Sequence, residues 1–132
     1  MAVSPQPGPG GYLYVDRNGA VCPCVFVPHS PTKMRDVFAR GGSLDDVWRE
    51  PFFAGIRGWQ RGYGYREWGE QYAGEGNRLM PCLFRDHHAE FRALAERHRP
   101  LPADESARTA AADPDYRERL IAFGRGLARL TE

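Results

Sequence analysis

Thiols are scarce in this chain, and lysine is scarcer still. Only three cysteines stand among 132 residues, and Lys33 is the single lysine among 18 basic side chains. An odd number of cysteines, with no export signal ahead of them, argues against a disulfide framework. Metal or cluster ligation, redox chemistry and plain burial remain open for them. Excess charge of one sign is also missing. The 18 Lys and Arg meet 17 Asp and Glu, a formal net charge of +1, which gives no electrostatic case for nucleic acid or an anionic membrane. No apolar run approaches the roughly 18–20 residues that a membrane helix needs. The opening "MAVSPQPGPGG" has neither a basic n-region nor an apolar h-region, so a cytosolic location is expected.

Several chemistries find no support. No Ser or Cys has a His and an acid placed where a nucleophilic triad would show itself. A zinc module normally carries paired Cys/His elements at short spacing, and Cys82 stands alone. The Gly-x-Gly stretches near Gly62 and Gly64 neither follow a strand nor open a helix, so a phosphate-binding loop fails its context test. The Tyr63–Tyr72 loop lacks the basic field that a base-stacking platform would need.

What the chain does hold is punctuation: 15 Gly and 11 Pro in a length that suits one domain. Residues 1–10 are expected to be disordered or truncated. "YLYV" and "AVCPCVFV" then flank "DRNG", where Asn18 and Gly19 tolerate positive φ. This predicts a β-hairpin with strands over 11–15 and 20–27. Ser43 followed by Asp46 marks a helix start, and Pro51 breaks or restarts that helix. Phe52, Phe53, Ile56 and Trp59 carry an apolar stripe that reads as core. Asp86 is placed to cap a helix whose face is Phe91, Leu94, Ala95 and His98, with His87 and His88 exposed in its first turn. Residues 100–112 read as a linker. Asp113-Pro114 opens a last helix over 113–132, with Tyr116, Leu120, Phe123, Leu127 and Leu130 as its apolar stripe. The expected fold is α+β: an N-terminal hairpin, helices packed over it, many loops and an amphipathic C-terminal helix. No internal repeat is visible.

In a regular strand, Cys22 and Cys24 would project to one side, their sulfurs roughly 6–7 Å apart. That spacing is too wide for a disulfide. It is also wide for one tetrahedral zinc but suits two corners of a cubane iron–sulfur cluster. Pro23 between them removes a backbone donor and favours an edge or a bulge. Taken by itself, Cys-Pro-Cys leaves ligation and buried free thiols evenly matched.

The ordered set of segments adds a resemblance. "YLYVDRNGAVCPC", then "SLDDVWREPFFAGIR", then "NRLMPCLFRDHHAEFRAL" resemble the SPASM domain, the auxiliary iron–sulfur domain of radical S-adenosylmethionine enzymes. The likeness runs over about 10–99, and a SPASM-like domain over 11–99 is the expected organisation. It implies a [4Fe–4S] cluster on thiolates, serving electron transfer or substrate positioning in an oxidoreductase-type enzyme. Cys24 matches the cysteine that closes the family's Gly-x4-Cys element, and Cys82 matches its later Pro-Cys ligand. Cys22 is an extra thiol, counted as a third ligand from the strand spacing. His29, Asp86 and His87 are candidates for a fourth.

The departures are specific. The family's cysteine before the first strand is missing, as is its Cys-x2-Cys-x5-Cys-x3-Cys run. The Cys-x3-Cys-x2-Cys motif of a radical core is missing too, so no residue here is assigned a catalytic role. S-adenosylmethionine would enter only through a radical core domain or partner subunit, with a peptide or small molecule as substrate. The alternative is a metal-free module of the same fold that binds a peptide or a partner.

Overall fold

The computed structural model describes residues 13–64 and 76–131. The expectations for 1–10, the first residues of the hairpin and most of the Tyr63–Tyr72 loop therefore lie outside the described residues. The α+β expectation holds: among the described residues there are two small two-stranded antiparallel sheets and six helices.

The hairpin forms, but its strands are shorter than the alternation predicts. β1 (Tyr14–Val15) pairs with β2 (Val21–Cys22), Tyr14 opposite Cys22 and Val15 opposite Val21. The turn is built by Asp16, whose carboxylate accepts the N–H groups of Asn18 and Ala20, both at 2.8 Å. Gly19 alone takes positive φ, at 76°, while Asn18 does not. β2 ends at Cys22 because Pro23 offers no donor to continue the ladder, and the chain turns over 23–28 instead of running on to Val27. A second sheet follows, β3 (His29–Ser30) against β4 (Leu101–Pro102). The stretch 100–112, expected as a linker, thus supplies a strand and then the helix α5 (Glu105–Ala112), capped by Asp104 accepting from Ala107 N–H at 2.7 Å.

The helix-start signals are honoured where they are purely local. After α1 (Met34–Ala39), α2 (Leu44–Trp48) opens with the Asp46 carboxylate accepting from Ser43 N–H at 2.7 Å. Pro51 restarts the chain as the first residue of α3 (Pro51–Gly62), where its missing N–H leaves no partner wanting. Phe52, Phe53 and Ile56 are buried, as their spacing implies, and each such side chain contributes roughly 1.5–3 kcal/mol. With Val21, Cys24, Val27, Val37, Val47, Leu83 and Phe91 they form the core.

α4 (His88–His98) packs on α3, where Gly55 leaves room for His98 and Leu94. α6 (Pro114–Thr131) begins at Asp113, whose carboxylate accepts from Asp115 and Tyr116 N–H at 2.9 and 3.2 Å. α6 rests on α4 and α5. Its buried point is Gly124 rather than the expected stripe, since a Cβ there would overlap the backbone carbonyl of Asp86. Phe123 and Leu130, predicted to dock, stay exposed. Among the described residues no helix is long and apolar enough to cross a membrane.

Candidate functional site

The three cysteines are free and fall in two places. Cys22 closes β2 and is buried. Burial pushes its thiol up to about 12, with Asp16, Cys24 and Asp104 adding to the effect. Cys24 lies two residues on, in the turn after Pro23 rather than on the same strand, so the spacing inferred from strand alternation does not apply. It packs into the apolar core. Burial raises its pKa, the backbone amides of Phe26 and Val27 lower it in part, and the nearby Cys82 raises it again.

Cys82 comes to this neighbourhood from the far end of the sequence. Pro81-Cys82-Leu83-Phe84 is a second turn of the same residue types as Pro23-Cys24-Val25-Phe26, a four-residue echo too short to stand out as a repeat. The Cys82 Sγ accepts the N–H of Arg85 at 3.4 Å. The turn is closed by Asp86, whose Oδ2 accepts the Cys82 N–H at 2.9 Å while Asp86 N–H reaches the Cys82 carbonyl at 2.8 Å. Asp86 is buried, and the Arg85 guanidinium holds the same carboxylate. It therefore does not cap α4, whose N-cap residue is His87. Peptide N–H groups lie near both sulfurs, those of Phe26 and Val27 beside Cys24 and that of Arg85 beside Cys82.

The histidines also differ from expectation. His29 is buried in β3 against Phe91, ring centroids 5.1 Å apart, and its Nδ1 has no partner. Burial lowers its pKa to about 4, with Arg92 and His88 contributing. His87 Nε2 is engaged by the Met80 carbonyl at 2.9 Å and its ring sits against Trp59 and Tyr63. His88, expected at the surface, is buried, with Nδ1 2.8 Å from the Phe84 carbonyl. Each of the two rings at the head of α4 thus already has a structural partner. His29 is the one of the three whose ring faces a cavity without such a bond.

That cavity, of about 610 Å³, lies beside the second turn and reaches α4, α5 and α6. Arg92, Arg117 and Tyr116 line it; the sequence placed Tyr116 in the apolar stripe of the last helix but singled out neither arginine, because α4 and α6 are brought together only by packing. Cys24 and Cys82 lie within electrostatic reach of each other, each with peptide N–H groups nearby. Among the described residues, however, no group of three His, Cys, Asp or Glu side chains is gathered as a metal would require. Cys22, Cys24 and Cys82 do not form one ligand set in this arrangement. Comparison of the chain with protein-family models, with curated proteins and with solved structures finds no match.

Proposed function

We propose that the chain is an auxiliary iron–sulfur module of a radical S-adenosylmethionine enzyme. In this reading Cys24 and Cys82 hold a [4Fe–4S] cluster and Cys22 supplies a further thiolate. The radical chemistry belongs to another domain or subunit, which also completes the ligand set. The observation that supports this is that two Pro-Cys turns from distant parts of the chain border one cavity, their sulfurs within electrostatic reach and peptide N–H groups near each. When bound, such a cluster supplies one-electron transfer or a fixed anchor for substrate. The chain's own residues position the thiols: Asp86 pins the Cys82 backbone, and Arg85 pairs with Asp86 beside it. Burial keeps Cys22 and Cys24 protonated, so loading must release protons and is faster at alkaline pH.

Anaerobic reconstitution with iron and sulfide is the test. The expected result is a broad visible charge-transfer absorbance and about four irons per chain, the content of a cubane. Cys24→Ala and Cys82→Ala should each cut the iron bound, and full iron in the double variant would overturn the assignment. A second reading is a metal-free module that binds a peptide or partner, and the apolar cavity beside the second turn supports it. It predicts no iron uptake by a chain that remains folded.

A further inference from the structure

The cavity beside the second Pro-Cys turn has a composition that the cluster reading does not use. Its walls are mostly apolar, with Phe26, Phe84, Phe91, Tyr116, Ala107 and Leu120 among the side chains lining the space. At about 610 Å³ it falls within the range of small-molecule sites, roughly 300–1,000 Å³.

The charged side chains at its wall are Arg85, Arg92, Arg117 and Asp104. Arg85 is already held by Asp86. Asp104 is occupied as the cap of α5. Arg92 reaches Glu96 at 3.4 Å with one terminal nitrogen, while its buried Nε has no partner. Arg117 has no side-chain hydrogen bond or ion pair among the described residues. Both guanidiniums act on the same space: after burial, Arg92 lowers the pKa of His29, and Arg92 and Arg117 lower that of His88. The two imidazoles are accordingly neutral near pH 7 and add no positive charge. What remains is a mostly apolar chamber facing two guanidiniums, with its single carboxylate engaged elsewhere. Arg117 has no counter-ion among the described residues, and Arg92 keeps only a long pair with Glu96 through one terminal nitrogen, so both have donors left for a carboxylate in these apolar surroundings.

We propose that this cavity binds a small organic acid, its apolar, preferably aromatic, body among the phenylalanine rings and its carboxylate on Arg92 and Arg117. The site goes beyond the iron–sulfur reading and needs neither iron nor sulfide. A failure of one therefore leaves the other standing.

The test is calorimetric titration of the purified chain with three probes of one shape: 4-phenylbutyrate, 4-phenylbutan-1-ol and 4-phenylbutylamine. The acid should bind saturably at one site. The alcohol should bind about tenfold more weakly or worse, the loss expected when a charge-assisted hydrogen bond is removed, and the amine should not bind. Arg117→Gln and Arg92→Gln should each weaken the acid about tenfold and leave the alcohol unchanged, with unaltered circular dichroism. Amide shifts on adding the acid should centre on Phe84, Ala107 and Arg117. Equal affinity for acid and alcohol, acid binding indifferent to both substitutions, shifts centred elsewhere, or no saturable binding by the folded chain would each overturn the proposal.

Discussion

The turns at Pro23-Cys24-Val25-Phe26 and Pro81-Cys82-Leu83-Phe84 carry the same residue types in the same order, yet they are sunk into the molecule from opposite sides. In the first, Cys24 is buried at 4 % exposure while Val25 and Phe26 stand out at 56 % and 63 %. In the second, Cys82 is half-exposed while Leu83 is buried at 3 % and Phe84 packs against Phe91, centroids 4.8 Å apart. A like local motif fixes the turn and the peptide donors near the sulfur, whereas the surrounding elements decide which side chain faces the core.

The contrast is broken or sharpened first by truncating the aliphatic residue after each cysteine. Leu83→Ala should lose about 2–5 kcal/mol in urea unfolding, the range for an emptied core site. Val25→Ala should change stability by no more than about 0.5 kcal/mol, as surface substitutions do. Similar losses for both would show that the turns are not used inversely.

Behind the second turn, His29 gives the next effect. Its folded pKa of about 4 lies below the ordinary 6.5, so the unfolded chain takes up the proton first as pH falls. Stability is then intact above pH 6.5 and declines by about 3 kcal/mol toward pH 4 from this group alone. His88, also lowered by burial, acts in the same direction. Unfolding followed from pH 7.5 to 4 should show the decline, and His29→Gln should flatten it. An unchanged slope in that variant would remove His29 from the account.

α6 touches the second turn through Gly124, which provides a paired test on one helix. Gly124→Ala should lose about 1–3 kcal/mol as the new methyl meets the Asp86 carbonyl. Gly126 faces open space, so Gly126→Ala should gain up to about 1 kcal/mol from helix propensity. Thermal unfolding of the two variants reads the difference, and equal shifts would place α6 away from the turn. The smallest effect concerns the sulfurs themselves. Mass-mapped alkylation by iodoacetamide at pH 8 should reach Cys82 about an order of magnitude before Cys24 or Cys22, because burial both covers those two thiols and raises their pKa. Equal rates at Cys24 would mean that the first turn opens readily.

Much of the fold was legible in the residues. Asp16 through Gly19, Ser43 with Asp46, Pro51, and Asp113-Pro114 each name the start of an element, and each is found there. Alternation overran the second strand because it counts side chains and ignores the donor that Pro23 lacks. Residues 100–112 looked like a linker because prolines and small residues dominate them, but backbone pairing with β3 needs no side-chain signal. For the candidate site the sequence supplied Cys24 and Cys82 but not their surroundings. The burial of His29 and His88, the clasp of Asp86 on Cys82, and the two guanidiniums over the cavity all depend on contacts with other elements.

Local order in this protein is set by groups a few residues apart, because a carboxylate, an amide and a proline ring act within one turn of backbone. Those interactions the amino-acid sequence determined by itself. The approach of Cys82 to Cys24, the separation of Cys22 from any three-residue ligand group, and the inverse burial of two like turns were decided by tertiary structure. Their reason is volume and desolvation: whichever side chain best fills the space beside Phe52, Phe53 and Phe91 goes inward, and the thiol or the phenyl ring left over faces out.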